Sequence, residues 1–203
     1  MRAWKAAVVL LVGAVAAVVF YTRQELHRGF STRSEPSSIE TLLARTARKM
    51  ALPSQYQTLK NPFPMSPENV RAGMEHFADH CAICHANDGS GDTPFGKNLY
   101  PKPPDMRRAE TQGKPDGELY YTIQNGVRLS GMPAFREDHG TPDADTWKLV
   151  LFIRHLPQLA SDELKEMENL NPKTDEERRE ESEEQKFLRG ENPQSMKHEA
   201  HHH

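Results

Sequence analysis

Cysteine is nearly absent from this chain. Cys81 and Cys84, both in the stretch CAICH, are the two it has in 203 residues. So few thiols exclude a disulfide-stapled scaffold, and with no third cysteine a four-cysteine zinc site is excluded too. The chain also lacks the apolar–polar alternation of strands and any internal repeat, which leaves sandwiches, barrels and solenoids without support. A concentrated basic face is missing as well. Residues 1–60 carry nine Lys/Arg against three Asp/Glu, residues 61–160 ten against thirteen, and residues 161–203 seven against thirteen. A nucleic-acid binder needs a basic surface that this distribution does not supply.

Long apolar runs are missing except at the start. Ala6 to Tyr21 is a run of sixteen residues without charge, flanked by Arg2 and Lys5 before it and Arg23 after it. It is close to the length of a spanning helix, and Val18-Val19-Phe20-Tyr21 continues past the small-residue step Ala14-Val15-Ala16. Trp4 and Tyr21 stand where interfacial aromatics anchor a span. The reading is therefore an uncleaved transmembrane anchor over residues 1–22, in preference to a removed signal peptide. Basic residues on both flanks leave its orientation open. Residues 23–65 read as a linker containing a short amphipathic helix: behind a capping Ser37, Ile39, Leu42, Leu43, Ala47 and Met50 share one face. The prolines of ALPSQYQTLKNPFPMS close this linker.

The folded core is expected over residues 66–160, and it reads as all-α. Ser66-Pro67 caps and opens a helix through Val70, Gly73, Met74 and Phe77 into Cys81. A long irregular loop with several glycines and prolines follows, and a loop of that length in a compact domain is usually functional. A second helix spans Asp116–Asn125, stopped by Gly126. The last is expected to open at Thr141-Pro142-Asp143, to carry Trp147, Leu149, Val150, Phe152, Ile153 and Leu156, and to end at Pro157. Residues 161–203 form an acidic, histidine-ended tail. Too sparse in apolar residues to offset the entropy of ordering, it reads as a solvated helix, a disordered segment or one ordered by a partner. Its terminal histidines offer weak copper or nickel ligands and receive no role.

CAICH admits three chemistries. Zinc needs a second ligand pair; His76 and His80, spaced i, i+4 ahead of Cys84, are a poor substitute and leave the long loop unexplained. A redox dithiol expects a βαβ context that is missing. Haem c explains most: thiols one helical turn apart each form a thioether to a vinyl group, and the next residue, His85, aims a ring nitrogen at the iron. The haem then serves as part of the core. Covalent attachment of this kind takes place outside the cytoplasm, which sets the anchor with its N-terminus inside and residues after it on the periplasmic side of a bacterial cytoplasmic membrane. For the opposite axial ligand the candidates are Met106, Met132 and His139. Met132 is favoured, because it stands in Ser-Gly-Met-Pro, where glycine allows close approach and proline stiffens the presenting segment.

Residues 66–159 resemble a class I cytochrome c domain. The resemblance rests on the helix before CAICH, the Gly89-x-Gly91 loop, PPDM at 103–106, NGVRLSGMPAF at 125–135 and the final aromatic helix. It implies one haem c with axial ligands His85 and Met132, single-electron transfer and no substrate chemistry. It further implies that the first and last helices cross, with Gly73 and Phe77 meeting Leu149 and Phe152. A proline carbonyl is implied to hold the other nitrogen of His85, with Pro104 preferred and Pro101 second. No small-molecule substrate is expected, since both axial positions are filled. The expected partners are the membrane and redox proteins: a tethered carrier between respiratory or photosynthetic components. A fixed haem subunit of a larger membrane oxidoreductase is the alternative. Around the site, Tyr120 and Tyr121 face either the haem edge or the core, and Arg128 either a propionate or solvent. Lys97, Lys102, Arg107 and Arg108 form either a docking fringe for acidic partners or a solvated loop.

Overall fold

The computed structural model describes residues 2–29, 31–136 and 143–190. His139, the Thr141-Pro142 step and the terminal histidines lie outside the described residues. The elements are α1 (Arg2–Arg28), α2 (Ser38–Ala51), α3 (Ser54–Thr58), α4 (Pro67–His80), α5 (Ala82–His85), α6 (Ala109–Gln112), α7 (Asp116–Asn125), α8 (Ala144–His155), α9 (Ser161–Leu170) and α10 (Asp175–Leu188). Among the described residues there is no strand, as an all-α chain requires. The stretch Ala3–His27 of α1 is long and apolar enough to cross a membrane, and none of its most apolar segment is buried.

The core is organised by the crossing of α4 over α8. Ser66 Oγ accepts the Asn69 N–H at 3.3 Å, satisfying one of the free donors at the start of α4, and Pro67 occupies the first turn, where no N–H is needed. Gly73 lies on the backbone of α8: a Cβ built there would stand 2.6 Å from the Lys148 carbonyl carbon, with the carbonyl oxygen closer still, and 3.0 Å from Phe152 Cβ. One turn on, Phe77 and Phe152 meet as a tilted pair, with ring centroids 5.1 Å apart at 57°. Leu149, Val150 and Leu156 are buried beside them.

Two segments read as peripheral pack on this core. Within the proline-rich linker, Tyr56 of α3 packs against Tyr121 at 4.8 Å with the rings tilted by 54°, and Asn61 Nδ2 donates to the Trp147 carbonyl at 2.8 Å. Gly117 accommodates the approach, because a Cβ there would lie 2.8 Å from Leu59 Cβ. Within the acidic segment, α9 lies against α4 with Met167 fully buried. Its seat is reinforced by Arg71–Glu166 at 2.8 Å and His155–Glu163 at 2.9 Å. α10, by contrast, buries no residue.

The start of α8 corrects the expected cap. The helix begins at Ala144, and Asp143 is its N-cap, accepting the backbone N–H of Asp145 (2.9 Å) and Thr146 (3.3 Å) through Oδ1. Its Oδ2 accepts from Thr146 Oγ1 (2.6 Å) and Gln124 Nε2 (2.9 Å), tying α8 to α7. Burial pushes the Asp143 carboxyl upward, but these hydrogen bonds outweigh it and leave its pKa below the ordinary value. A lowered folded-state pKa contributes stability above the unfolded value of about 3.9 that is lost as pH falls through the folded one. Asp143→Ala is therefore expected to cost about 1–2 kcal/mol at pH 7. The penalty should shrink in denaturant titrations repeated below pH 3.9.

Candidate cofactor site

The site begins where α4 ends. The Cys81 N–H donates to the Phe77 carbonyl at 2.8 Å and the His85 N–H to the Cys81 carbonyl at 2.9 Å, so CAICH forms one further helical turn. Cys81 and Cys84 are free thiols, both half-buried, and one turn of helix sets them on the same side. His85 is buried against Phe77, ring centroids 6.5 Å apart. Its Nδ1 is sealed from solvent and has no hydrogen-bond partner. Burial lowers the His85 pKa to about 4, so the imidazole is neutral at physiological pH with a lone pair to offer. Burial, and then the neighbouring Cys84, push the Cys81 thiol up to about 12.

The irregular loop after His85 is held by glycines that let backbone meet backbone. The Gly91 N–H donates to the His85 carbonyl at 2.8 Å, and the Met106 N–H to the Gly89 carbonyl at 2.8 Å. Gly89 and Gly91 take φ of 73° and 77°, a region L side chains seldom enter. A Cβ on Gly96 would stand 2.5 Å from the Cys84 carbonyl oxygen, and Thr93 Oγ1 donates to that same oxygen at 3.4 Å. The loop thus folds back under the cysteine turn before running outward. There Leu99 reaches the methionine segment: a Cβ on Gly131 would lie 2.5 Å from Leu99 Cδ2.

That segment is a compact turn. Gly126, at φ 66°, ends α7, the Val127 N–H donates to the Met132 carbonyl at 3.1 Å, and the Met132 N–H to Ser130 Oγ at 3.2 Å. The Phe135 N–H returns the chain to α7 by donating to the Ile123 carbonyl at 3.1 Å. Met132 and Cys81 are both half-buried and pack on the same core cluster. Met106 belongs inside that cluster, 9 % exposed, as a packing residue.

Other expected neighbours divide clearly. Tyr120 stacks on Trp147 at 4.2 Å and accepts the Asp143 N–H at 3.2 Å, while Tyr121 meets Tyr56, so both rings are taken by packing. The basic fringe is neutralised within the chain: Lys97 pairs with Asp92, Lys102 with Glu35, Arg107 with Asp88 and Asp105, and Arg108 with Asp105. Arg128 is exposed. Among the prolines, it is Pro103 whose carbonyl oxygen lies against Gly91, 2.9 Å from a Cβ built there. Pro104 is exposed, and the orphaned His85 Nδ1 makes no bond to its carbonyl in this structure. Gly96 and Leu99 escaped sequence reasoning. The density of glycine after CAICH was a signal for the first, and nothing local marks the second.

The residues fit haem c. Paired thiols one turn apart, a neutral buried imidazole with a free nitrogen and a thioether on a rigid turn are the donors such a group takes. Ile83 and Phe95 beside the cysteines and Leu129 on the methionine turn keep apolar surface exposed that a large apolar cofactor would shield. Residues 68–153 match the family model for cytochrome C oxidase, cbb3-type, subunit III. No curated protein matches the chain. Over that segment the chain is similar to a class I c-type cytochrome domain.

Proposed function

We propose that this domain holds one haem c and relays single electrons at a membrane to which α1 anchors it. Cys81 and Cys84 would carry the thioether links, and His85 and Met132 would hold the iron. Haem c held there supplies a one-electron Fe(III)/Fe(II) couple. The protein's part is to keep His85 neutral by burial, to hold Met132 on a turn too short to swing away, and to exclude water with the α4–α8 core. A soft thioether ligand favours ferrous iron and raises the potential relative to a second histidine. With both axial positions filled, no position is left for a substrate. The observation that carries this reading is the buried His85, one helical turn from Cys81, packed on the same core that seats Met132. A proline carbonyl would complete the site by accepting from His85 Nδ1, which has no partner in this structure. Pro104 is the first candidate and Pro101 the second, while the Pro103 carbonyl lies against Gly91, whose N–H donates to the His85 carbonyl.

The extracytoplasmic side is the side for residues after α1, since c-type haem attachment occurs there. A fixed haem subunit of a larger membrane oxidoreductase is the second reading, and the description of the matching family model favours it. Detergent extraction from native membranes followed by sizing separates the two. A haem-containing species of monomer size is the expected result for a carrier. Co-migration with other membrane subunits would replace the carrier by the subunit. Pyridine haemochrome analysis of the same material should give one haem per chain.

A further inference from the structure

Helix α2 is built the wrong way round for a helix packed on a soluble domain. Its polar side faces the domain: Glu40 accepts the Tyr100 hydroxyl at 2.6 Å, Arg45 pairs with Glu110 at 2.9 Å, and Glu40 and Thr41 are half-buried. By the helical repeat, Ile39, Leu42, Leu43 and Met50 lie on the other side. They are 57, 65, 64 and 81 % exposed. The apolar stripe therefore points away from the cytochrome domain, held there by polar contacts on its opposite face.

The depth of this stripe is fixed by a contact with α1. Ser37, the N-cap of α2, shares a hydrogen bond with the Tyr21 hydroxyl at 3.0 Å. Tyr21 is the last aromatic residue of the uncharged run, two residues before Arg23. α1 ends at Arg28, and α2 starts beside Tyr21, at the level where the apolar run ends. In a bilayer that level is the headgroup boundary, where tyrosine settles. The charge balance also suits that boundary: Arg45, Arg48 and Lys49 stand against Glu40 alone. Lys49 borders the stripe beside Leu42 by the helical repeat.

We propose that α2 lies flat in the interface of the membrane that α1 crosses, its apolar face in the lipid and Lys49, at the border of that face, among anionic headgroups. The cytochrome domain sits on its water side. The helix then acts as a foot that holds the domain in one orientation and at one height. An anchor through α1 alone would leave it on a swinging tether. Short amphipathic helices with a basic polar face bind interfaces in this way. The proposal rests on the reading of α1 as a membrane anchor.

The test uses the full-length holoprotein in vesicles of phosphatidylethanolamine and phosphatidylglycerol. With Cys81 and Cys84 linked to haem, a cysteine introduced elsewhere is the one reactive thiol. Nitroxide labels at Leu43→Cys, Val12→Cys in the span and Glu180→Cys on α10 are compared for collision with oxygen and with a water-soluble nickel chelate. The expected result is an oxygen-to-nickel ratio at position 43 near that at position 12 and at least about fivefold above that at position 180. A ratio at 43 equal to that at 180, with 12 lipid-like, overturns the interfacial helix and leaves the anchor standing. Shielding of position 43 from both probes overturns it in favour of a protein cover, such as a second copy of the chain. A water-like ratio at position 12 removes the anchor and the proposal together.

Discussion

Gly73→Ala is expected to prevent accumulation of the folded holoprotein, although alanine is the better helix former. The two effects oppose each other, and magnitude decides. In an exposed helix the exchange gains about 1 kcal/mol. At Gly73 the added carbon meets the α8 backbone 2.6 Å away at the Lys148 carbonyl carbon, with Phe152 Cβ at 3.0 Å behind it. A backbone carbonyl inside a helix cannot rotate aside as a side chain can, so α4 and α8 must separate. That opens the Phe77–Phe152 contact at the centre of the core. Overpacking typically costs 1–3 kcal/mol even where side chains can adjust, and here none of the yielding partners is a flexible side-chain end. A loss of about 3 kcal/mol or more is expected, a large share of the roughly 5–15 kcal/mol a domain has. Denaturant unfolding and holoprotein yield by haem absorbance check this. Gly13→Ala is the control, since nothing lies within 4 Å of a Cβ there. A Gly73→Ala protein as stable as the parent would show that the α4–α8 crossing is not the close one described.

Met132→Ala is expected to abolish the sulfur-to-iron charge-transfer band of the oxidised protein while leaving the covalent haem in place. The reduction potential should fall by a substantial part of the roughly 0.8 V range that axial ligation spans. The turn that carries Met132 is closed by backbone bonds, Val127 N–H to the Met132 carbonyl and Phe135 N–H to the Ile123 carbonyl. These do not involve its side chain, so truncation removes the sulfur without dismantling the turn. Met132 is only half-buried, which keeps the packing cost small. Met106→Ala makes the contrast: that side chain is 9 % exposed inside the core cluster, so its loss should lower stability by about 2–5 kcal/mol and leave the band intact. If Met106→Ala removes the band and Met132→Ala spares it, the ligand assignment is reversed. Thermal unfolding and redox titration of the two variants together separate ligation from packing.

The parts legible in the sequence were those whose causes are local. Ser66-Pro67 and Ser37 announce helix starts because a cap bonds within its own first turn. CAICH announces paired thiols and an imidazole on one turn because i, i+3 and i, i+4 spacing is the helical repeat itself. The uncharged run of α1 is visible for the same reason, as is Gly126 closing α7 at positive φ. The cap of α8 misled because Thr141 and Asp143 are both good capping residues. The choice fell to Gln124 and Tyr120, which reach Asp143 from another helix.

What only the tertiary structure decided involves partners distant in the chain. Composition alone left residues 161–170 as a solvated helix, a disordered segment or one ordered by a partner, whereas one helical face delivers Met167 to α4 and draws α9 onto the domain. The prolines around Tyr56 suggested a linker, but its ring had Tyr121 to pack against, 65 residues further on. The basic residues of the loop looked available for docking until Glu35, Asp88, Asp92 and Asp105 were brought beside them. An amphipathic pattern at 38–51 says that a helix has two faces and not which one meets the protein. Glu40 and Arg45, by finding Tyr100 and Glu110, turned the polar face inward. The sequence by itself thus determined α2, α4 and α7, the paired thiols and imidazole of CAICH and the apolar run of α1, all written in neighbouring residues. The tertiary structure decided which surfaces are spent on the domain and which stay exposed, because that depends on contacts between segments far apart in the chain.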